Sequence, residues 1–341
     1  MNQLLRALLG ASLLLPAAAG AQGLFKKGEP LEISLTTSLR SLLRDRDTTK
    51  RILHGAELTY KDSAGVLVRI PVGLRTRGHF RRLDRNCDFP PIKLEITKEA
   101  ARKTVFDGNR TLKLATNCRA GNAEYEQYIL KEYVLFQMYQ TLTPWSYRTR
   151  LAHVTYTDSA GKAKPVESWA FLVEDDGDLA QRRQSKKFET KGAYFDDLEP
   201  EQTGYMNLFA YMIGNTDWSV AALHNVTLLR DSLAVIHPVP FDFDWSGAVD
   251  ARYAFPDASL HTNSVRTRVW RGDCRNAEAM TPIIQRFVSK RAAMDSIPLG
   301  IRAMTAENKE SMAKYFAEFW SLLNDPKKAV ASFSRTCKPG N

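Results

Sequence analysis

The chain has 341 residues, 44% of them hydrophobic and 25% charged. That balance excludes a mainly disordered, collagen-like or fibrous protein, and the length suits one large domain or two modest ones. Lys and Arg number 48 against 38 Asp and Glu, a formal net charge of +10. Such a surface favours acidic or phosphorylated partners, nucleic acid or anionic membrane, without choosing among them.

Residues 1–21 read as a secretory signal peptide. Arg6 precedes an apolar run from Ala7 to Leu15, Pro16 breaks it, and Ala19-Gly20-Ala21 fits the small-residue cleavage rule before Gln22. The run is too short to span a bilayer, and no later stretch is apolar enough, so no membrane span is expected after cleavage. The expected location is periplasmic or secreted. Export makes disulfides of Cys87, Cys118, Cys274 and Cys337, with local pairing of the first two and the last two expected. There is no CxxC and no metal-binding histidine spacing. No nucleic-acid motif accompanies the positive charge, and an exported chain does not meet nucleic acid as its ordinary partner.

After the signal, Thr59 to Gly65 (TYKDSAG) and Thr155 to Gly161 (TYTDSAG) each place a polar turn between alternating segments, which predicts two β-hairpins. Pro91 to Ile96 and Thr111 to Asn117 read as strands. A helix is predicted from Asn122 to Leu142, ended by Pro144. Glu174 to Lys191 is charged and reads as a loop or short connector, with Arg182, Arg183, Lys186, Lys187 and Lys191 solvated. A second helix is expected from Pro200 to Gly214. Met312, Tyr315, Phe316, Phe319, Trp320 and Leu323 form an amphipathic stripe, with Thr305 as N-cap and Pro326 past the end. The expected fold class is α+β: a β-rich N-terminal lobe with one long helix over 22–175, then a helical C-terminal lobe over 176–341, with a cleft at the connector.

The chemistry concentrates between Gly214 and Gly247. Asn215, Asp217, His224, Asn225, Asp242 and Asp244 fall in one segment. Asp and Asn oxygens suit a hard divalent ion, and Mg²⁺ takes one or two carboxylates plus substrate phosphate. Asp242 and Asp244 are expected on one face of a strand, with Phe241 and Phe243 on the other. An Asp that accepts a proton, a following Asn and a later metal-binding Asp make a phosphoryl-transfer layout. The competing reading makes Asp217 and Asn225 turn or cap residues, and His224 and His237 structural.

The segments GNTDWSVAALHN and PFDFDWSG resemble the spore-coat CotH-type kinases, an atypical branch of the protein-kinase-like fold. RTRGHFRR (Arg75 to Arg82) looks like the family's Arg-x-Arg-Gly segment. SWAFLVEDDGDLAQR looks like its strand into the hinge, ending in Glu174. The likeness covers Leu58 to Ala251 in order. It implies a bilobal protein-kinase-like fold, ATP or another nucleotide with Mg²⁺ or Mn²⁺ as cofactors, and a protein or glycan acceptor.

By position, Asp217 is the implied catalytic base. Asn225, Asp242 and Asp244 are the implied metal ligands, and Asp242 lies five residues before Gly247. Lys113 takes the place of the phosphate-binding lysine, with Lys93 as rival. Glu132, nineteen positions later, is its implied ion-pair partner, with Glu124 and Glu126 as rivals. Arg77, with Arg75, Arg81 and Arg82, stands where phosphate would be cradled; a solvated basic face is the alternative. The chain departs from the pattern of protein kinases in lacking GxGxxG and an HRD triplet, and its Asp-to-Asn spacing is eight rather than five. An envelope pseudokinase or binding scaffold without catalysis is the second reading, and a calcium-dependent structural or hydrolytic protein the third.

Overall fold

The structure, a computed structural model, describes residues 23–334 and Cys337, apart from 27, 48, 51 and 120. The expected signal peptide, residues 1–21, lies outside the described residues.

In chain order the elements are β1 (Leu31–Thr37), α1 (Leu39–Arg44), β2 (His54–Lys61), β3 (Leu67–Thr76), β4 (Ile92–Glu95), α2 (Lys98–Ala101), β5 (Thr111–Ala115), α3 (Ala123–Leu142), β6 (Thr149–Asp158) and β7 (Val166–Glu174). Then follow α4 (Asp176–Arg182), β8 (Lys186–Lys187), α5 (Pro200–Ile213), β9 (Val226–Arg230), β10 (Ile236–Pro240), α6 (Ala277–Ser296), α7 (Ala306–Leu323) and α8 (Pro326–Ser334).

Seven strands close into a barrel in the order β1-β2-β3-β4-β5-β7-β6. All neighbours are antiparallel except β1 and β6, which run parallel with Leu31 opposite Ala152 and Thr37 opposite Asp158. Strand β1 alternates, burying Ile33, Leu35 and Thr37. It also pairs with β2, so it joins the two sides of the sheet. Closure removes the unpaired edges that an open sheet would leave.

The expected bilobal kinase-like fold with a helical C-terminal lobe is therefore overturned. The strands form a closed barrel rather than an open β-rich lobe. The second half carries its own antiparallel sheet, β10-β9-β8, beside its helices. The sequence contains β1 as an alternating segment, but its parallel partner lies more than a hundred positions away, beyond the reach of local pattern. The Glu174-to-Lys191 connector also holds more structure than expected. Asp175 caps α4 by accepting the N–H of Gly177, and β8 follows.

One wall of the barrel serves two cores. On β7, Ala170 and Leu172 face the barrel interior with Leu35, Leu58, Ile70, Leu94 and Leu114. The intervening Phe171 and Val173 face a second core with α3, α5, α6 and α7. Period-two alternation thus explains an almost continuous apolar run: both faces of the strand are buried. Helix α3 is buried nearly all round, from Gln127 to Leu142. The Asn122 side chain accepts from Glu124 and Tyr125 at its N-terminus. The aromatic stripe of α7 is core at every position named above, and Thr305 caps the helix.

Both disulfides join the expected cysteines, Cys87 with Cys118 and Cys274 with Cys337. They are consistent with an extracellular or periplasmic protein. Among the described residues no helix is long and apolar enough to cross a membrane.

Candidate functional site

Two loops meet because two glycines do. Helix α5 ends at Gly214, whose φ of 65° is left-handed. A Cβ there would lie 2.2 Å from the Tyr315 hydroxyl and 3.4 Å from Gly247. At Gly247 a Cβ would lie 2.5 Å from the Val265 carbonyl. With no side chains between them, the Gly247 N–H donates to the Gly214 carbonyl at 3.1 Å. The segments carrying Asp217 and Asp244 are thereby held side by side.

In the first loop, Asn215 is buried and its Oδ1 accepts the Asp217 N–H at 3.0 Å. One Asp217 carboxylate oxygen contacts His224 Nε2 at 2.8 Å. The other accepts from Asn225 Nδ2 at 3.0 Å, and the same amide donates to the Asp217 carbonyl at 2.8 Å. Asn225 adopts a φ of 54°. Its nitrogen is spent on Asp217, leaving the side-chain carbonyl oxygen as the group able to ligate a cation. His224, expected to be structural, is held by this contact with the Asp217 carboxylate.

The second loop departs from expectation. Strand β10 ends at Pro240, so Asp242 and Asp244 do not alternate in a strand. Asp242 has a φ of 62°, a left-handed turn that no alternation pattern reveals. The Phe241 N–H donates to the Asn225 carbonyl at 3.0 Å, which fastens the two loops together. Phe243 is the anchor, its ring 4.7 Å from Phe136 on α3 and 5.6 Å from Phe209 on α5. Burying one such ring contributes about 2 kcal/mol or more.

Asp244 is buried, accepts from the Tyr253 hydroxyl at 3.0 Å and lies 3.8 Å from Arg81 Nη1. Burial, then Asp242, pushes its carboxyl up to about 7, against the pull of Arg81 and the Tyr253 hydrogen bond. Glu132, buried on α3, is raised well above the usual carboxylate range by burial and then by Asp244 and Asp242; Arg81 and Arg77 oppose this. Its Oε2 is buried without a hydrogen-bond partner. Burial lowers the pKa of Arg77, and among the charges near it Asp242 opposes this most. Arg81 also donates to the Thr116 carbonyl.

The remaining expected residues are placed differently. Lys113, on β5, forms its ion pair with Asp176 of α4 rather than with Glu132. Its ammonium lies 4.9 Å from the Tyr147 ring centre and 5.2 Å from that of Phe241. Burial lowers its pKa, with Asp176 acting against that. Glu174 is fully buried, and its two oxygens take Arg148 and Arg182. That carboxylate clamps β7 to α4 and is committed. Arg182 is therefore part of this clamp rather than a solvated loop residue. Asp176 and Tyr253 were not anticipated. The one legible signal for Asp176 is the paired Asp175-Asp176 after an apolar strand, the pattern of an acidic helix start.

A cavity of about 530 Å³ does lie at the connector, lined among others by Phe25, Arg148, Asp178 and Arg182. None of the converging acids lines it. The strongly shifted carboxyls lie at the acids and not at this cavity, which makes the acid cluster the candidate site.

Glu132, Asp242 and Asp244 repel one another around two arginines, and one buried oxygen stays orphaned. That donor chemistry fits a divalent cation. Among the described residues no three His, Cys, Asp or Glu are grouped so as to hold a metal ion.

No protein-family model and no curated protein matches this chain. The site is accordingly read from its own geometry.

Proposed function

We propose that this exported chain, akin to the CotH-type kinases, transfers a phosphoryl group from a nucleotide, ATP or another, to a hydroxyl on a protein or glycan. The reading rests on residues and their chemistry, not on a shared architecture. The observation that carries it is the linkage Asp217–Asn225–Phe241–Asp242: two hydrogen bonds bring a half-exposed carboxylate, an amide and the acid pair into one constellation.

In this reading Asp217 receives the proton of the attacking hydroxyl, and His224 and Asn225 fix its two oxygens. The acceptor oxygen bonds to the terminal phosphorus as the bond to the leaving diphosphate breaks. Arg77 and Arg81 stabilise charge on the phosphoryl oxygens. Mg²⁺ or Mn²⁺, when bound through Asn225, Asp242 and Asp244, would neutralise the polyphosphate. Lys113 reaches phosphate only by sharing or leaving Asp176.

That last point favours a second reading, a non-catalytic nucleotide-binding or scaffold module, since Lys113 is engaged elsewhere. Thermal melting of the mature protein with ATP and Mn²⁺ tests both. Saturation at a hundredfold over Kd adds about 2.7 kcal/mol of stability. Asp242→Asn should abolish the upward shift, and Asp217→Ala should keep it while losing phosphorylated product. A shift with no turnover in the wild type selects the second reading; no shift with any nucleotide–metal pair overturns both.

A further inference from the structure

Helix α1 buries Leu39 and Leu42 in the barrel core and turns its other face outward. That face carries Arg40, Ser41 and Arg44, all exposed. With Ser38 they line a pocket of about 500 Å³, completed by Asp45, Ile52 and His54. The floor of the pocket is fixed. Asp45 is buried, and its two carboxylate oxygens meet Arg82 Nη2 at 3.1 Å and His54 Nε2 at 3.2 Å. The Thr76 hydroxyl and Arg82 Nε both donate to the Asp45 carbonyl. Asp45 is the one acid among the described residues that line the pocket, and it is committed.

The donors above that floor are not committed. Among the described residues neither Arg40 nor Arg44 has an ion pair or a side-chain hydrogen bond. They stand four positions apart on one helix, where like charges are neighbours and destabilise it. Ser38 precedes the helix without capping it, so its hydroxyl is free, and the Ser41 hydroxyl has no partner either. The helix end is not the attraction, since its Leu39 N–H is taken by Asp158 at 3.1 Å. Two spare guanidinium groups and two spare hydroxyls over a neutralised acid suit an anion. A carboxylate is filled by a single guanidinium fork. A phosphate ester brings three terminal oxygens, which two forks and two hydroxyls can share. A cavity of about 150 Å³ already takes a benzene molecule, so this pocket also has room for the body that carries the phosphate. Ile52 lines the same pocket at 46% exposure, with Leu53 beside it at 49%. Two consecutive apolar side chains at the rim of a basic pocket suit the boundary between lipid headgroups and acyl chains.

We propose that this pocket binds a phosphate ester group, clamped by Arg40 and Arg44 and steadied by Ser38 and Ser41. The phosphate is the shared chemistry of two carriers, a soluble ester and the headgroup of an anionic phospholipid, and the apolar rim tells them apart. None of the pocket's lining residues belongs to the acid cluster. The site therefore stands whether or not the chain transfers phosphate.

Isothermal titration of the mature protein, without metal or nucleotide, compares glucose 6-phosphate with glucuronate, a ring of the same size carrying a carboxylate. The phosphate ester should bind at millimolar concentration or below, and glucuronate more weakly. Arg40→Ala and Arg44→Ala should each weaken the ester about tenfold, the scale of one lost charge-assisted contact. Both side chains are exposed and unpaired, so both variants are expected to fold, and an unchanged melting midpoint checks it. Co-sedimentation with vesicles identifies the carrier. For a lipid headgroup, vesicles containing phosphatidylglycerol retain the protein and vesicles of phosphatidylcholine alone do not. Either arginine substitution then lowers retention, and Ile52→Ser lowers it severalfold while leaving the soluble ester unaffected. Ester binding without retention makes the carrier soluble and leaves the proposal standing. No ester binding at millimolar concentration together with no preference for phosphatidylglycerol overturns the inference. So does binding indifferent to both arginine substitutions, or glucuronate bound as tightly as the ester.

Discussion

The loop around Asp217 and the cluster around Asp244 use the same carboxylate chemistry in opposite surroundings. Asp217 is partly exposed, and each of its carboxylate oxygens has a partner. Glu132 and Asp244 are both buried and feel each other's charge, with two arginines near and one Glu132 oxygen orphaned. The contrast teaches that burial and not residue type divides the work. An exposed, fully bonded acid keeps an ordinary aqueous setting, whereas crowded buried acids hold their protons more tightly.

The hardest way to break this pairing is to push the loops apart. Gly247→Ala puts a methyl group 2.5 Å from the Val265 carbonyl and 2.8 Å from the Arg266 Cα, backbone atoms that cannot swing away. A cost of about 3 kcal/mol is expected, a drop of roughly 4 °C in the melting midpoint. An unchanged midpoint would show that the glycine contact does not set the spacing.

A smaller effect sharpens the buried side. Because Asp244 is raised to about 7 from the usual 3.8, the native state holds a proton that the unfolded chain has released between those values. Stability therefore falls as pH rises from about 4 to 7, and the raised Glu132 acts in the same direction. Glu132→Gln should flatten that decline, because a buried carboxyl that holds its proton above the usual range is gone. Denaturant titrations at several pH values check it; a steeper decline in the variant would refute the crowding of acids.

The smallest effect is expected on the exposed side. Asp217→Asn should cost less than about 1 kcal/mol in the same titrations, because its ion pair with His224 is exposed to solvent. A larger loss would mean that Asp217 is a structural keystone and not a working group.

Much of this was legible in the sequence, for reasons that can be named. Helix α3 announced itself through Asn122 and Pro144, α7 through Thr305 and its aromatic stripe, and the hairpins through their Asp-Ser-Ala-Gly turns. These are local signals, and local physics produces them. The grouping of Asp217 with Asn225 was legible as a cluster of ligand-type residues, but its geometry was not. The left-handed φ at Asp242 breaks an apparent alternation without a glycine to mark it. The Lys113–Asp176 pair joins a strand to a helix hidden in a charged stretch, and barrel closure depends on a pairing of distant strands. Each of these is a tertiary choice that short-range pattern does not encode.

The Cys87–Cys118 bridge has a consequence for where the protein can work. It fastens the loop following Arg81 and Arg82 to the exit of β5, close to the Thr116 carbonyl that Arg81 grips. Closing that loop confines the unfolded chain by about 4 kcal/mol in the loop-entropy picture. In a reducing cytoplasm the arginines would be tethered less firmly, and the acids they face would lack a steady counter-charge. An oxidising compartment would thus keep the arginine loop fastened, and a reductant that loosens this loop before the barrel melts would reveal it.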